Sequence, residues 1–211
     1  MSKKVLLFCL MFCSLAGRGQ YPGYTLLSQP EVFKKTLAQA TALTESIQSD
    51  FSQEKNLTML SEKIYSTGKF WFKKKDNLKM EYYKPYSYLI ILSNGKIFMK
   101  DDQHESKISS HSSKIFQQVN RILLDCMAGT MLENPDFQSR VFENKTAFLI
   151  EFSPLTKNLK ELYKNINIVL DKIDYSASAV EMIEKSGDKT YIRFQNKVFN
   201  APIPDPIFNI P

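Results

Sequence analysis

The run GKFWFKKKDNLKMEYYKPYSYLIILSNGK, residues 68–96, decides the fold. Its apolar stretches, rich in aromatic and β-branched residues, are separated by turn signals, which is the texture of consecutive strands. Asn94-Gly95 is the clearest hairpin turn in the chain, because both residues tolerate the positive φ that a two-residue turn needs. Strands joined this tightly pair antiparallel, since parallel neighbours would need a crossover helix between each pair. Phe70, Trp71 and Phe72, and again Tyr88 through Leu92, put large apolar groups on successive positions, so both faces of this sheet must be covered.

Outward from this run the same texture predicts strands over residues 46–55, 65–74, 78–83, 86–93 and 96–100. A second group is predicted over 137–143, 146–152, 165–171, 179–184 and 189–195, with Asn144-Lys145 and Ser186-Gly187-Asp188 as turns. Before the first group, Pro30 and Glu31 open a helix over 30–42, with Phe33, Leu37 and Ala40 at three- and four-residue steps. Between the groups, Ile115, Phe116, Val119, Ile122, Leu123, Cys126 and Met127 recur at helical spacing from Ser112 to Gly129. A shorter helix is predicted over 156–163. Many strands with few helices imply a mainly β fold: a strongly curved antiparallel sheet or an open barrel with helices laid into its concave side.

The first residues have a different character. Met1-Ser2-Lys3-Lys4 precede an apolar run from Val5 to Phe12, and Gly17 and Gly19 precede Gln20, the pattern of a cleaved secretory signal over residues 1–19. Cys9 and Cys13 each follow a Phe, whereas a lipid-attachment signal needs a small residue there, so a free, soluble, exported product is expected. Residues 20–211 then form one domain, with no linker or internal repeat to divide it. Removing Lys3, Lys4 and Arg18 lowers the formal net charge from +6 to +3, which does not call for nucleic acid as a partner. Only Cys126 remains, so no intramolecular disulfide can form and stability must come from the core.

Catalytic chemistry is hard to place. His104 and His111 lie in a polar stretch without metal-ligand spacing, and Cys126 sits on the apolar stripe of its helix. No nucleophile elbow, phosphate loop or paired cysteines are present. No catalytic residue and no metal site is expected, and the chain does not read as an enzyme. With 15 Phe, 10 Tyr and 8 Met, the composition suits an ordinary core or an adaptable apolar cavity.

Phe51-Ser52-Gln53, the stretch from Gly68 through Lys74, Leu78-Lys79-Met80-Glu81-Tyr82, Pro85, Ser93-Asn94-Gly95-Lys96 and Asp101 together resemble the outer-membrane lipoprotein carrier family, LolA. Thr190-Tyr191-Ile192-Arg193-Phe194, then Asn200, Ile203, Asp205 and Phe208, resemble that family's closing strand and tail. The resemblance implies an incomplete barrel with a helical lid that shuttles acylated lipoproteins through the periplasm as a monomer. It would take them from an inner-membrane releasing transporter and give them to an outer-membrane acceptor, without a cofactor.

The same resemblance implies a ligand-facing set of Phe51, Phe70, Phe72, Met80, Tyr82, Leu89, Ile91, Leu149 and Ile168, with lid contacts from Ile115, Val119, Ile122 and Leu123. One position departs from the family. Lys74 stands where the family has an Arg that bonds the lid, and lysine keeps the charge but not the planar fork. Lys74 is therefore the candidate lid latch. A carrier or sensor for another acylated envelope lipid or a pigment-like molecule is the alternative within this fold. An envelope hydrolase, which would need a polar constellation in the cavity, is the alternative from another class.

Overall fold

The structure, a computed structural model, describes residues 20–74, 76–101, 105–108, 122, 124–125 and 129–211. The expected signal segment, His104 and His111, Cys126 and most of the helix expected over 112–129 lie outside the described residues. Pro30–Ala42 forms α1, with Pro at the first turn and Phe33, Leu37 and Thr41 buried along one stripe. Lys157–Leu162 forms the short α2.

The ten expected strands all form, and two short ones join them. β1 is Thr25–Leu26, β2 Ser46–Leu57, β3 Glu62–Lys73, β4 Asn77–Lys84, β5 Tyr88–Ser93 and β6 Lys96–Asp101. β7 is Glu105–Ile108, β8 Phe137–Glu143, β9 Ala147–Pro154, β10 Tyr163–Asp171, β11 Ala177–Glu184 and β12 Lys189–Phe199. The turn between β5 and β6 has Asn94 at φ 50° and Gly95 at φ 71°, the paired left-handed geometry that the Asn-Gly sequence favours.

Among the described residues, the twelve strands belong to one antiparallel sheet in the order β1-β8-β9-β10-β11-β12-β2-β3-β4-β5-β6-β7. β1 and β7 are its two ends, so the sheet is open and the barrel incomplete. Two hairpin series, β2 to β7 and β8 to β12, meet at a central β12–β2 seam in which Phe194 stands opposite Phe51.

One face of this sheet carries the hydrophobic core. Phe33 and Leu37 of α1 lie in it, and the Phe33 ring sits 4.5 Å from the Phe148 ring, centroid to centroid. Ile122 and Met131, which lie between β7 and β8 in the sequence, are buried in the same core. Gly129, at φ 73°, approaches α1 so closely that a Cβ there would lie 2.0 Å from Thr41 Oγ1. Only glycine fits that approach.

Candidate functional site

The core face can be traced strand by strand, because residues opposite one another in a ladder share a face. Ile47, Ser49 and Phe51 of β2 stand opposite Phe72, Phe70 and Gly68 of β3. Those three in turn face Leu78, Met80 and Tyr82 of β4. Phe51, Phe70, Phe72, Met80 and Tyr82, all expected in the ligand-facing set, therefore share one surface. Beyond the seam, Phe194 and Ile192 continue it through Val180 to Ile168 and Ile150. Ile168 is thus on the same face as Phe70.

The register corrects three expected cavity residues. Met80 pairs with Ile90 and Leu78 with Leu92, so Leu89 and Ile91 point to the outer face. Ile168 pairs with Ile150, and Leu149 likewise points outward, opposite Phe142. The cause is physical: Tyr88–Leu92 and Ala147–Phe152 are apolar at nearly every position, so alternation does not distinguish their faces. The core-face residues there are Ile90 and Leu92, and Phe148, Ile150 and Phe152. The two-residue Asn94-Gly95 turn fixes Leu92 opposite Ile97, and carrying that register back through β4 would have given the parity.

Ile91 and Phe98 are nevertheless buried, at 3% and 0% exposure, outside the main core. The turn Asp205–Phe208 packs against β4 and β5, and its Phe208 is buried as well. Outer-face burial at β5 is therefore structural cover by the C-terminal tail, whereas Phe142 is covered by Tyr21.

Aromatic rings dominate the core face. The Phe51 ring lies over Gly68, where a Cβ would come within 2.7 Å of the ring and 2.1 Å of the Glu81 carbonyl oxygen. Phe51 and Tyr82 meet edge to face at 4.8 Å, and Phe70 and Phe194 at 5.2 Å. Polar groups are few. The Tyr82 hydroxyl donates to Gln53 Oε1 at 3.0 Å, and burial, reinforced by Tyr88, pushes its pKa well up. Among the described residues no group of three or more His, Cys, Asp or Glu could hold a metal ion. Such a surface offers contact area to apolar chains and no ionised group to react with them.

Of the expected lid residues, Ile122 is helical and belongs to the buried core; Ile115, Val119 and Leu123 lie outside the described residues. Lys74 Nζ donates to the carbonyl of Ala42, the last residue of α1, and to Glu45 Oε1 at 2.7 Å. The tail residues reinforce this end. Asn200 accepts from Glu45 N at 2.7 Å and donates to the Leu43 carbonyl at 3.1 Å. Lys73 donates to the Ile203 carbonyl at 2.9 Å and to Asp205 at 2.5 Å. Asn200 thus fastens the tail to the loop that follows α1, while Ile203 and Asp205 fasten it to the end of β3 and the turn holding Phe208 packs on β4 and β5. Sequence reasoning noted these residues but assigned them no task, because the loop they hold is remote in the chain.

The outer face carries a separate polar network. Glu151, 2% exposed, accepts from Arg140, from the Tyr21 hydroxyl and from Gln20 Nε2. Burial first, and then the adjacent Glu151, raise the Tyr21 pKa strongly.

The family model for the outer membrane lipoprotein carrier protein LolA matches residues 42–211. No curated protein sequence matches. An uncharacterized conserved protein from Thermus thermophilus is similar in structure, with a TM-score of 0.51 and 6% identity, over 87% of this chain and 95% of that one. A LolA superfamily protein from Nitrosomonas europaea has a TM-score of 0.45 and 9% identity, over 84% of this chain and 97% of that one. At such identities structural likeness bears on the fold alone. No helix among the described residues is long and apolar enough to cross a membrane.

Proposed function

The chain belongs to the LolA family of outer membrane lipoprotein carrier proteins, and on that premise we propose that it is an exported, periplasmic, non-enzymatic carrier. It shelters the acyl chains of lipoproteins against the core face of its sheet and passes them from an inner-membrane releasing transporter to an outer-membrane acceptor. The observation that carries this reading is the apolar face from Met80 and Phe70 across the β12–β2 seam to Ile168 and Ile150, on which Ser49 is a polar interruption spanned by the Phe70–Phe194 ring contact, covered by α1 and Ile122.

Physical chemistry sets the requirements of such a carrier. Each buried methylene contributes about 0.8 kcal/mol, so an ideally sheltered lipoprotein anchor of roughly thirty methylenes would be held by more than about 20 kcal/mol. Release then needs an opposing term. Phe70, Ile150 and Ile168 are at most 1% exposed, so cargo must displace the covering elements, and the cost of uncovering the face offsets part of the gain. Lys74, holding the end of α1, is the proposed latch for that movement.

Lys74 in place of the family Arg also supports a second reading, a carrier or sensor for another acylated envelope lipid. One experiment separates them: native mass spectrometry and lipid extraction of the protein taken from its own periplasm, beside Phe72→Glu. A co-purified lipoprotein that the variant lacks is the expected result. A free lipid would favour the second reading. Reproducibly empty protein that also accepts no lipoprotein from membranes would sink both.

A further inference from the structure

Near the end of the core face, where β12 closes against the start of β2, the ladder carries a bulge. Gln195 pairs with Asp50 and Val198 with Gln48, so Asn196 and Lys197 together oppose Ser49. Asn196 takes up the extra residue at φ 53° and donates to Asp50 Oδ2 at 2.8 Å. A bulge of this kind changes which side chains face inward. Phe194 and Phe199 differ in parity, yet both turn to the core face, opposite Phe51 and Ile47. Lys197 is carried inward with Phe199, its ammonium 6.0 Å from that ring.

Two polar side chains thereby meet among aromatic rings. Ser49 is 2% exposed, and its hydroxyl has no hydrogen-bond partner among the described residues. With Ile47, Phe70, Ser176, Phe194 and Lys197 it lines a small cavity. Lys197 donates to Ser176 Oγ and stands 3.6 Å from Asp174 Oδ2, while Ser176 Oγ donates to Asp174 Oδ1 at 2.6 Å. Among the described residues these contacts engage two of the three donors that an ammonium offers.

A buried hydroxyl without a partner costs free energy that an apolar side chain of the same size would not. Ser49 is therefore suited to a donor whose acceptor arrives with the cargo. The charges select that acceptor. Asp174 already balances Lys197, so a further carboxylate buried here would leave one negative charge unmatched. A neutral carbonyl oxygen has two lone pairs to accept from Ser49 and Lys197 and carries no such penalty. Phe70 and Phe194, beside it in the same cavity, offer contact area to the chain attached to that carbonyl.

We propose that Ser49 and Lys197 form a polar anchor for the ester carbonyl at the head of an acyl chain. The anchor rests on the reading of the core face as an acyl-chain shelter, and it names the group that sets the position of the chain there. Its test is calorimetric titration of the full mature protein with dioctanoylglycerol and with the matching diether, which lacks only the carbonyl oxygens. The diester should bind about tenfold more tightly. Ser49→Ala should erase most of that difference, while diether binding and thermal unfolding stay at the wild-type level or rise, because the variant removes an unpaired group. Lys197→Met, which keeps the apolar stem, should also weaken the diester selectively. Equal affinity for the two probes, or a Ser49→Ala protein that keeps the preference, would overturn the anchor, leave Ser49 to a bound water and leave the shelter standing. Octanoate competing better than the diester would overturn it in favour of a carboxylate. Binding of neither lipid would overturn the shelter reading itself, and the anchor with it.

Discussion

The Lys74 ammonium donates to the carbonyl oxygen of Ala42, so the residue that follows β3 holds α1 by the end of its backbone. The carbonyls of a helix's last turn lack partners within the helix, and a cation there is favoured by the helix dipole as well. Lys74→Ala should speed amide exchange in residues 30–44 and lower stability by about 1 kcal/mol or less, since the lysine is partly exposed. Lys74→Arg should preserve protection. Equal exchange in all three proteins would show that the bond holds nothing.

Substitutions on the two sheet faces should have different consequences. Phe72 is 2% exposed on the core face, and Phe72→Ala should cost about 3–5 kcal/mol in urea unfolding and impair cargo binding. Leu89, half-buried on the outer face, should cost about 1–2 kcal/mol as Leu89→Ala and leave cargo binding intact. Cargo loss in Leu89→Ala alone would reverse the assignment of the faces.

Gly68 leaves no room for a methyl group between the Glu81 carbonyl and the Phe51 ring. Gly68→Ala should therefore destabilise by about 2 kcal/mol or more. The paired change Phe51→Leu with Gly68→Ala should still be less stable than wild type, because the backbone carbonyl cannot move aside as a ring can. Thermal melts of the three proteins check this.

Arg140 faces Glu151, which is almost wholly buried. Arg140→Ala leaves that carboxylate without its cation and should cost about 2–4 kcal/mol, whereas Arg140→Met with Glu151→Leu should recover most of the loss. Chemical denaturation of the single and double variants measures the difference.

Tyr21 and Tyr82 have pKa values raised by burial, so the folded state keeps their phenolic protons when the unfolded chain has begun to lose them. The native state then binds more protons, and stability falls as pH rises above about 10, the ordinary tyrosine value. Below that pH the contribution is fully present. Tyr82→Phe should make the decline shallower in urea melts between pH 9 and about 11.

The elements were legible where one local rule governed them. Pro30 and the Phe33–Leu37 stripe gave α1, and Asn94-Gly95 gave its hairpin. β1 and β7 escaped notice because the first has two residues and the second, Glu105–Ile108, sits in a polar stretch. On the core face, Met80 alternates with Lys79 and Glu81, and Phe70 follows Lys69, so charged neighbours mark the side these residues take. Leu89, Ile91 and Leu149 have no such mark, since their strands carry apolar groups on both sides. The work of Asn200 was hidden for another reason: its partners Leu43 and Glu45 become neighbours only after the sheet is assembled.

The meeting of Phe51 and Phe194 at the sheet's centre also sets a timetable. During synthesis the first hairpin series emerges while β12 is still unmade, so β2 has no partner along one whole side. The central ladder waits for almost the last residues, and contacts of such long sequence separation form slowly. A chain built this way is expected to fold more slowly than a simple meander of equal length, because its central ladder joins strands far apart in sequence.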